Sequence, residues 1–561
     1  MSQLINSPQD IVPEMIDGLL FTNKNIQKIK GRNVIIRKDR TSTKDGKEVA
    51  LISGGGSGHE PSHAGFVGKG MLSAAVLGDV FSSPTPMQVL SAIRAVTGPA
   101  GCLLIVKNYT GDRLNFGMAA ELARNEGYEV AMVIVGDDCA LLDREGQTAG
   151  RRGIAGTLFV HKILGALAES GEDLESIRKF GLQLCNDIFS AGFALSGCTL
   201  PGSDKPIFQM EEKRIEMGLG IHGESGRENL PLTTSSQHAR DLVDIICQYS
   251  SGDVAIMINN LGSTTNMEMY IFTKHVVQRL ISRIYCGAFM TALDMHGVSL
   301  SVVPGKTEYL RGLDHPIQVS SWPIALACGE YREDLEADLR DEEDDTSKIE
   351  RLRERDETTS RGVVRFCEGV IDRMMCKTQH LSDLDALVGD GDLGSNLEKA
   401  GRKIRDKLDI MPLSLGLFTE AIATILADEM GGTSGVLYTA FFLHFSRSLQ
   451  QGHLWAAAFE AGCGGITDLG GAKEGDRTMM DALLPAVQAI HKAREEEKQD
   501  AEVLKLAADA AQKGADKTKE MQAKKGRSSY LGSRAIGHPD PGAQAIADLL
   551  KIISDVFNSP E

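Results

Sequence analysis

Through the N-terminal half of the chain, short unbroken apolar runs alternate with longer stretches whose apolar positions recur at helical spacing. The runs at 34–36, 50–52, 103–106, 130–135 and 254–258 are rich in Val, Ile and Leu and contain no charged side chain. A strand with one wet face alternates apolar and polar residues, so uninterrupted runs predict strands covered on both faces. Between the third and fourth runs, 115–124 reads as a crossover helix that ends at Gly127. Repetition of this unit predicts an α/β architecture with mostly parallel sheets. The span is long enough for two lobes, with a break expected near 180–200.

The C-terminal half follows a different pattern. Helical windows at 363–377, 417–429, 436–449, 480–492 and 501–512 succeed one another with few β-branched runs, and Gly431-Gly432 and Gly464-Gly465 mark loops between them. This predicts an all-α bundle or barrel whose inter-helix loops build a site. Between the halves, Asp334, Glu336, Asp338, Asp341, Glu342, Glu343, Asp344 and Asp345 crowd together, and 348–357 alternates in sign. Such a stretch is solvated and reads as a linker, in part helical. The expected domains are 1–332 (α/β, two lobes), 333–358 (acidic linker) and 359–561 (all-α).

Length and charge narrow the function. A chain of 561 residues exceeds one core. Its formal charge of −17 argues against nucleic acid or an anionic membrane surface as partner. The N-terminus shows no basic region followed by an apolar run, and no stretch reaches membrane-spanning length. Ten scattered cysteines without a Cys-x-x-Cys pair read as reduced core thiols of a cytoplasmic protein.

The densest chemical signal is 384–396, where Asp385, Asp390 and Asp392 precede Gly394-Ser395-Asn396. Carboxylates this close repel unless a cation lies between them, and oxygen-only ligands favour Mg²⁺ or Mn²⁺ over zinc. The glycines leave backbone N–H groups free for phosphate oxygens. The plainer reading is an acidic turn capping a helix.

In the N-terminal half two loops follow predicted strands. Ser53-Gly54-Gly55-Gly56-Ser57-Gly58-His59-Glu60 comes after 50–52, and Lys107-Asn108-Tyr109-Thr110-Gly111-Asp112 after 103–106. A third motif, Gly218-Leu219-Gly220-Ile221-His222-Gly223-Glu224, flanks a histidine with glycines. Loops at the carboxyl ends of parallel strands can converge on one pocket. The glycine run is neither a Walker loop nor a dinucleotide fingerprint. His59 and His222 could each be a satisfied core histidine, and Asp112 a helix cap. Together with Lys107 they also supply a base, a hydroxyl-orienting group and a nucleophilic nitrogen for a polyol or carbonyl site.

These motifs, with Gly475-Asp476-Arg477-Thr478-Met479-Met480-Asp481 and Gly537-His538-Pro539-Asp540-Pro541-Gly542, occur in the order found in dihydroxyacetone (glycerone) kinases. The chain resembles the single-chain, ATP-using form over nearly its whole length. The resemblance implies that His222 forms a covalent hemiaminal with the substrate carbonyl. It further implies that His59 hydrogen-bonds the reacting hydroxyl, that Asp112 is its general base, and that Lys107 and the backbone of Gly56, Ser57 and Gly58 position it. By the same resemblance Asp385, Asp390 and Asp392 hold two Mg²⁺ ions. Leu393, Gly394, Ser395, Asn396, Thr433, Ser434 and Arg527 then meet the phosphates of ATP, while Gly470, Thr478, Met479, Asp540, Pro541 and Gly542 enclose the nucleoside.

The resemblance leaves three readings open. The first is a kinase for dihydroxyacetone and glyceraldehyde. The second is an FAD-AMP lyase forming cyclic FMN with Mn²⁺, alongside or instead of the kinase. The third is a silent carbonyl-binding regulator. Family members are homodimers through the α/β half, which is the expectation here.

Overall fold

The computed structural model describes residues 3–142, 150–224, 226–277, 281–323, 326–327, 345–389, 391–430, 432–525 and 535–559. The chain forms two compact units, Met1–Asp334 and Leu335–Glu561.

In the first unit the buried runs pair as a sheet of six strands. These are β1 (Ile26–Lys28), β2 (Val34–Arg37), β3 (Ala50–Ser57), β4 (Ala74–Val80), β5 (Cys102–Lys107) and β6 (Val130–Val135), in the spatial order β1-β2-β4-β3-β5-β6. β3 runs parallel to β4 and β5, and β5 parallel to β6, while β1 and β2 add an antiparallel edge. Every residue of β2, β3 and β5 is buried. Successive side chains point to opposite faces. Thus Leu51, Leu103 and Ile105 pack with Leu158 and Ile177 on one side, and Ile52, Leu104 and Val106 with Val89 and Phe116 on the other.

β3 extends through Gly54, Gly55 and Gly56, where the sequence suggested a loop. Gly54 and Gly55 still pair with Val76 and Leu77 of β4. A side chain at Gly54 would collide with the Val76 carbonyl, so these glycines allow two backbones to approach closely.

The second sheet holds β7 (Phe189–Ala194), β8 (Arg214–Met217), β9 (Glu228–Pro231), β10 (Val254–Asn260), β11 (Ile281–Gly287), β12 (Gly297–Pro304) and β13 (Leu326–Ala327). Their order is β13-β11-β10-β12-β7-β8-β9. Here the expectation of mostly parallel pairing needs correcting, because only β10 and β11 run parallel. The cause is connection length: a parallel pair needs a crossover, usually a helix. Asn266–Val276 supplies one between β10 and β11, whereas β8 and β9 are joined by a helix-free loop.

The second unit is helical among its described residues. Its helices are Asp345–Glu354, Gly362–Met375, Thr378–Val388, Leu393–Asp406, Leu415–Glu429, Gly432–Gln450, Trp455–Gly470, Met480–Glu495, Asp500–Lys517 and Pro541–Phe557. Most of them share one core around Phe418, Ile425, Leu483 and Ala511 and line an apolar cavity of about 560 Å³, while Leu381 of Thr378–Val388 packs in a smaller cluster with Leu393 and Ala545. Asp345–Glu354, at the end of the acidic stretch, buries Ile349 and Leu352 in that core. Among the described residues no helix is long and apolar enough to cross a membrane.

Candidate functional site

The loops at the carboxyl ends of β3, β4 and β5 meet loops that leave the second sheet. His59 follows β3, Ser83 follows β4, and Lys107 ends β5. Asp112 lies in the first turn of helix Thr110–Asn125. His222 comes from the turn between β8 and β9, and Thr291 from the segment between β11 and β12.

His59 and His222 face each other with their Nε2 atoms 3.1 Å apart. Each ring uses its other nitrogen on a partner that can only accept. His59 Nδ1–H donates to the Thr291 carbonyl at 2.7 Å, and His222 Nδ1–H donates to Glu224 Oε1 at 2.9 Å. With both Nδ1 atoms protonated, two neutral rings would set lone pair against lone pair. A 3.1 Å approach therefore calls for one proton shared between the Nε2 atoms. Burial, then the charge of Lys107, pushes the pKa of His59 well below its ordinary value. Phe81 stacks on His59 at 5.1 Å between centroids, and Tyr109 meets His222 edge-on at 4.8 Å.

Asp112 is buried, and its Oδ1 accepts from the Ser83 hydroxyl at 2.5 Å. Its Oδ2 lies 4.0 Å from Lys107 Nζ. The lysine is fully buried and its ammonium has no hydrogen-bond partner among the described residues. Burial lowers its pKa, opposed by the charges of Asp112, Glu224 and Asp137. Gly55 lies over this pair: a Cβ there would sit 3.0 Å from Lys107 Nζ and 3.4 Å from Asp112 Oδ2. A buried carboxylate, a lysine without a hydrogen-bond partner among the described residues and a histidine pair thus lie near the carboxyl ends of β3 and β5.

Burial alone would raise the Glu224 carboxyl, but bonds from the His222 ring and backbone outweigh it and hold the pKa near 2, below its ordinary 4.5. A carboxylate depressed in the folded state adds stability above its unfolded pKa, and that stability disappears as pH falls through the folded value. The stability difference between wild type and Glu224→Gln is therefore expected to be full above about pH 5 and to shrink steadily toward pH 2. Denaturant melts at stepped pH measure it; a difference that does not change with pH would remove the ion pair from the account.

Two expected substrate residues are engaged within the fold. The Ser57 hydroxyl donates to the Gly78 carbonyl at 2.7 Å, and the Gly58 N–H donates to Glu60 at 3.1 Å. At Gly56 a Cβ would come 2.7 Å from the Phe81 carbonyl carbon, so close packing against Phe81 requires this glycine.

In the helical unit the expected nucleotide residues gather at helix N-termini. Leu393 to Asn396 open one helix, Thr433 and Ser434 another, and Thr478 and Met479 precede Met480–Glu495. Asp540 caps Pro541–Phe557 by accepting from Ala543 N–H at 2.8 Å. Such N-termini carry free N–H groups and a positive dipole end suited to phosphate. The pKa of Asp540 is raised to about 6, by burial first and then by the nearby carboxylates Asp481 and Asp385, against the Ala543 N–H bond and the charge of Arg477.

Asp385 Oδ2 accepts from Leu393 N–H at 3.2 Å, and Asp392 accepts on its backbone carbonyl from Asn396 N–H at 3.0 Å. Asp390 and Arg527 lie outside the described residues, and among the described ones no group of three or more metal-ligating side chains forms. Gly394 has a packing cause, since a side chain would collide with the Thr378 carbonyl. Gly470 takes a 3.4 Å contact from Lys525 Nζ on its carbonyl. Gly542 lies beside Met479, whose Cβ is 3.5 Å from a Cβ placed there.

Sequence reasoning passed over Ser83, Thr291 and the role of Glu224. Ser83 was within reach, because it follows a parallel strand as His59 and Lys107 do. Nothing in the local sequence marks Thr291. Arg477, buried with a positive φ of 61°, donates to the carbonyls of Thr518, Ala535 and His538 at 2.8–3.2 Å and so ties the loop ahead of Asp540.

Comparison with known proteins places both units. A family model described as Dak1 domain matches residues 17–321, and one described as DAK2 domain matches residues 387–555. The chain is 37% identical over 582 residues to the triokinase/FMN cyclase of Homo sapiens, with 99% of each chain covered. It is 39% identical over 573 residues to the dihydroxyacetone kinase of Citrobacter freundii, again with 99% of each covered. The crystal structure of the C. freundii dihydroxyacetone kinase in complex with AMP-PNP and Mg²⁺ matches with a TM-score of 0.63 at 38% identity, over 99% of both chains.

Proposed function

The chain belongs to the dihydroxyacetone kinase family, with Dak1 and DAK2 domains in one polypeptide, and from that premise we propose that it holds its triose as a covalent hemiaminal on His222. The enzyme phosphorylates a triose with ATP and Mg²⁺. The observation that carries the covalent reading is the Nε2–Nε2 approach of 3.1 Å between His59 and His222, each ring fixed through Nδ1.

The proton balance follows from that pair. His222 passes the shared proton to His59 Nε2, which frees its own Nε2 lone pair to add to the carbonyl carbon. The carbonyl π electrons move to oxygen, and oxygen takes the proton from His59. His59 is then neutral, and the alkylated His222 ring keeps its Nδ1–H on Glu224. A polyol has no carbonyl to trap, so glycerol is excluded.

Asp112 Oδ2 then accepts the proton of the primary hydroxyl as its oxygen attacks the γ-phosphorus of ATP and ADP departs. Lys107, buried without a hydrogen-bond partner among the described residues, supplies positive charge to the bound substrate. Asp385, Asp390 and Asp392 would hold Mg²⁺, which would supply charge neutralisation at the phosphates. Residues 393–396, Thr433, Ser434 and Arg527 meet the phosphates, and Gly470, Thr478, Met479 and the turn 540–542 enclose the nucleoside. Glyceraldehyde, with the same carbonyl and hydroxyl pair, is a second acceptor, and the working unit is a homodimer through the α/β half in the cytoplasm. Coupled ADP release with dihydroxyacetone, glyceraldehyde and glycerol tests the reading. Turnover on the two carbonyl compounds and none on glycerol is expected; comparable turnover on glycerol would overturn carbonyl capture.

A second activity is favoured by the human relative, whose name includes FMN cyclase. The nucleotide end of the helical unit would then take FAD and release AMP and cyclic FMN with Mn²⁺. Chromatography of FAD incubations with Mn²⁺ or Mg²⁺ decides this, and His222→Ala is expected to leave it intact.

A further inference from the structure

A buried ion pair abuts the turn that carries His222. Asp138 Oδ2 accepts from Arg152 Nε at 2.8 Å and lies 2.6 Å from Nη2 as an ion pair, and the same Nη2 donates to the Gly218 carbonyl at 2.6 Å. The two side chains are only 11% and 3% exposed. Asp138 is itself held, with Oδ1 accepting from Ala140 N–H at 3.0 Å and its own N–H donating to the Arg152 carbonyl at 3.0 Å. Its neighbours are tied to β7, since Cys139 N–H donates to the Ser190 carbonyl and Ser190 N–H to the Asp137 carbonyl. The pair is therefore part of the sheet framework.

From Gly218 the chain turns tightly. Gly220 N–H donates to the Glu224 carbonyl at 3.0 Å, and Gly223 N–H to the Gly220 carbonyl at 3.1 Å. A Cβ placed on Gly220 would collide with Glu224 Oε2 and lie 2.7 Å from Arg152 Nη1. The third guanidinium nitrogen and the carboxylate that holds His222 thus flank one point. Glu224 Oε2 also accepts from His222 N–H at 3.0 Å.

We propose that Arg152, anchored by Asp138, is a positioning residue for His222. Its planar fork grips framework and turn at once, and its charge faces Glu224. Glu224 in turn keeps the proton of His222 on Nδ1 and aims Nε2 at the substrate. Lysine has a single nitrogen and cannot make all these contacts together. The proposal rests on the hemiaminal reading for its catalytic consequence, but not for its effect on the tautomer of His222.

The test uses the full chain as wild type, Arg152→Met and Arg152→Lys. Nitrogen NMR of ¹⁵N-histidine-labelled protein reports the His222 tautomer, with the resonance assigned by its loss in His222→Ala. [2-¹³C]Dihydroxyacetone reports whether the bound carbonyl carbon is tetrahedral, and coupled ADP release gives kcat and KM. In Arg152→Met, mixed tautomers, a bound carbon shifted toward the free ketone and a kcat lowered by about tenfold or more are expected. AMP-PNP binding should stay unchanged. Arg152→Lys should restore folding if the Met variant is unstable, yet still show mixed tautomers and reduced kcat. His222 nitrogen signals identical to wild type together with wild-type kcat in Arg152→Lys or in a folded Arg152→Met would overturn the proposal. If wild type itself binds the triose as a ketone, the hemiaminal reading fails, and the tautomer comparison still judges Arg152.

Discussion

His222→Ala is expected to lower kcat/KM for dihydroxyacetone by about a hundredfold or more, because on the hemiaminal reading the covalent bond fixes the reacting hydroxyl in line for transfer. The loss should appear in coupled ADP release with Mg²⁺ present. It should be accompanied by disappearance of the tetrahedral carbon signal of bound [2-¹³C]dihydroxyacetone. The geometry explains why His59 cannot substitute: its Nδ1 is fixed on the Thr291 carbonyl at 2.7 Å, and the ring is fully buried against Phe81. Activity within a few fold of wild type in the alanine variant would leave a kinase but remove the hemiaminal as a required step.

Asp112→Asn should act on the other half of the chemistry. The Ser83 hydroxyl occupies Oδ1 at 2.5 Å, which leaves Oδ2 as the oxygen able to take a proton. An amide NH2 at that position is not a base, so kcat should fall by about 10²–10⁴-fold, the usual range for a lost general base. On the proposed mechanism capture of the carbonyl rests on His222 and His59, so the tetrahedral carbon signal should persist. The two variants thus separate capture from transfer. A fall in both capture and kcat in Asp112→Asn would place Asp112 in the capture step as well.

The site was legible where chemistry lies in consecutive residues. Lys107 and Asp112 are close neighbours in sequence, at the end of β5 and in the first turn of the helix after it, and the spacing of Asp385, Asp390 and Asp392 carried the metal reading without a fold. The glycine run was visible too, but its causes were mixed. Gly54 and Gly56 are required by close approach of Val76 and Phe81, so a ligand is not the only reason for them. Strand direction in the second sheet was not legible, because β8 and β9 are short and β7 pairs with β12, which lies far along the chain.

The sequence by itself determined the alternation of buried strands and helices in the first half, the succession of helices in the second, and the residue types able to do the chemistry. Each of these follows from periodicity and composition over a few neighbouring residues, where local sterics and burial act. Only the tertiary structure decided which atoms meet. His59 faces His222 across 163 residues of chain and Thr291 across 232. Those pairings depend on the order of strands in two sheets and on the turn held by Arg152. Long-range packing sets both, and no local pattern encodes it.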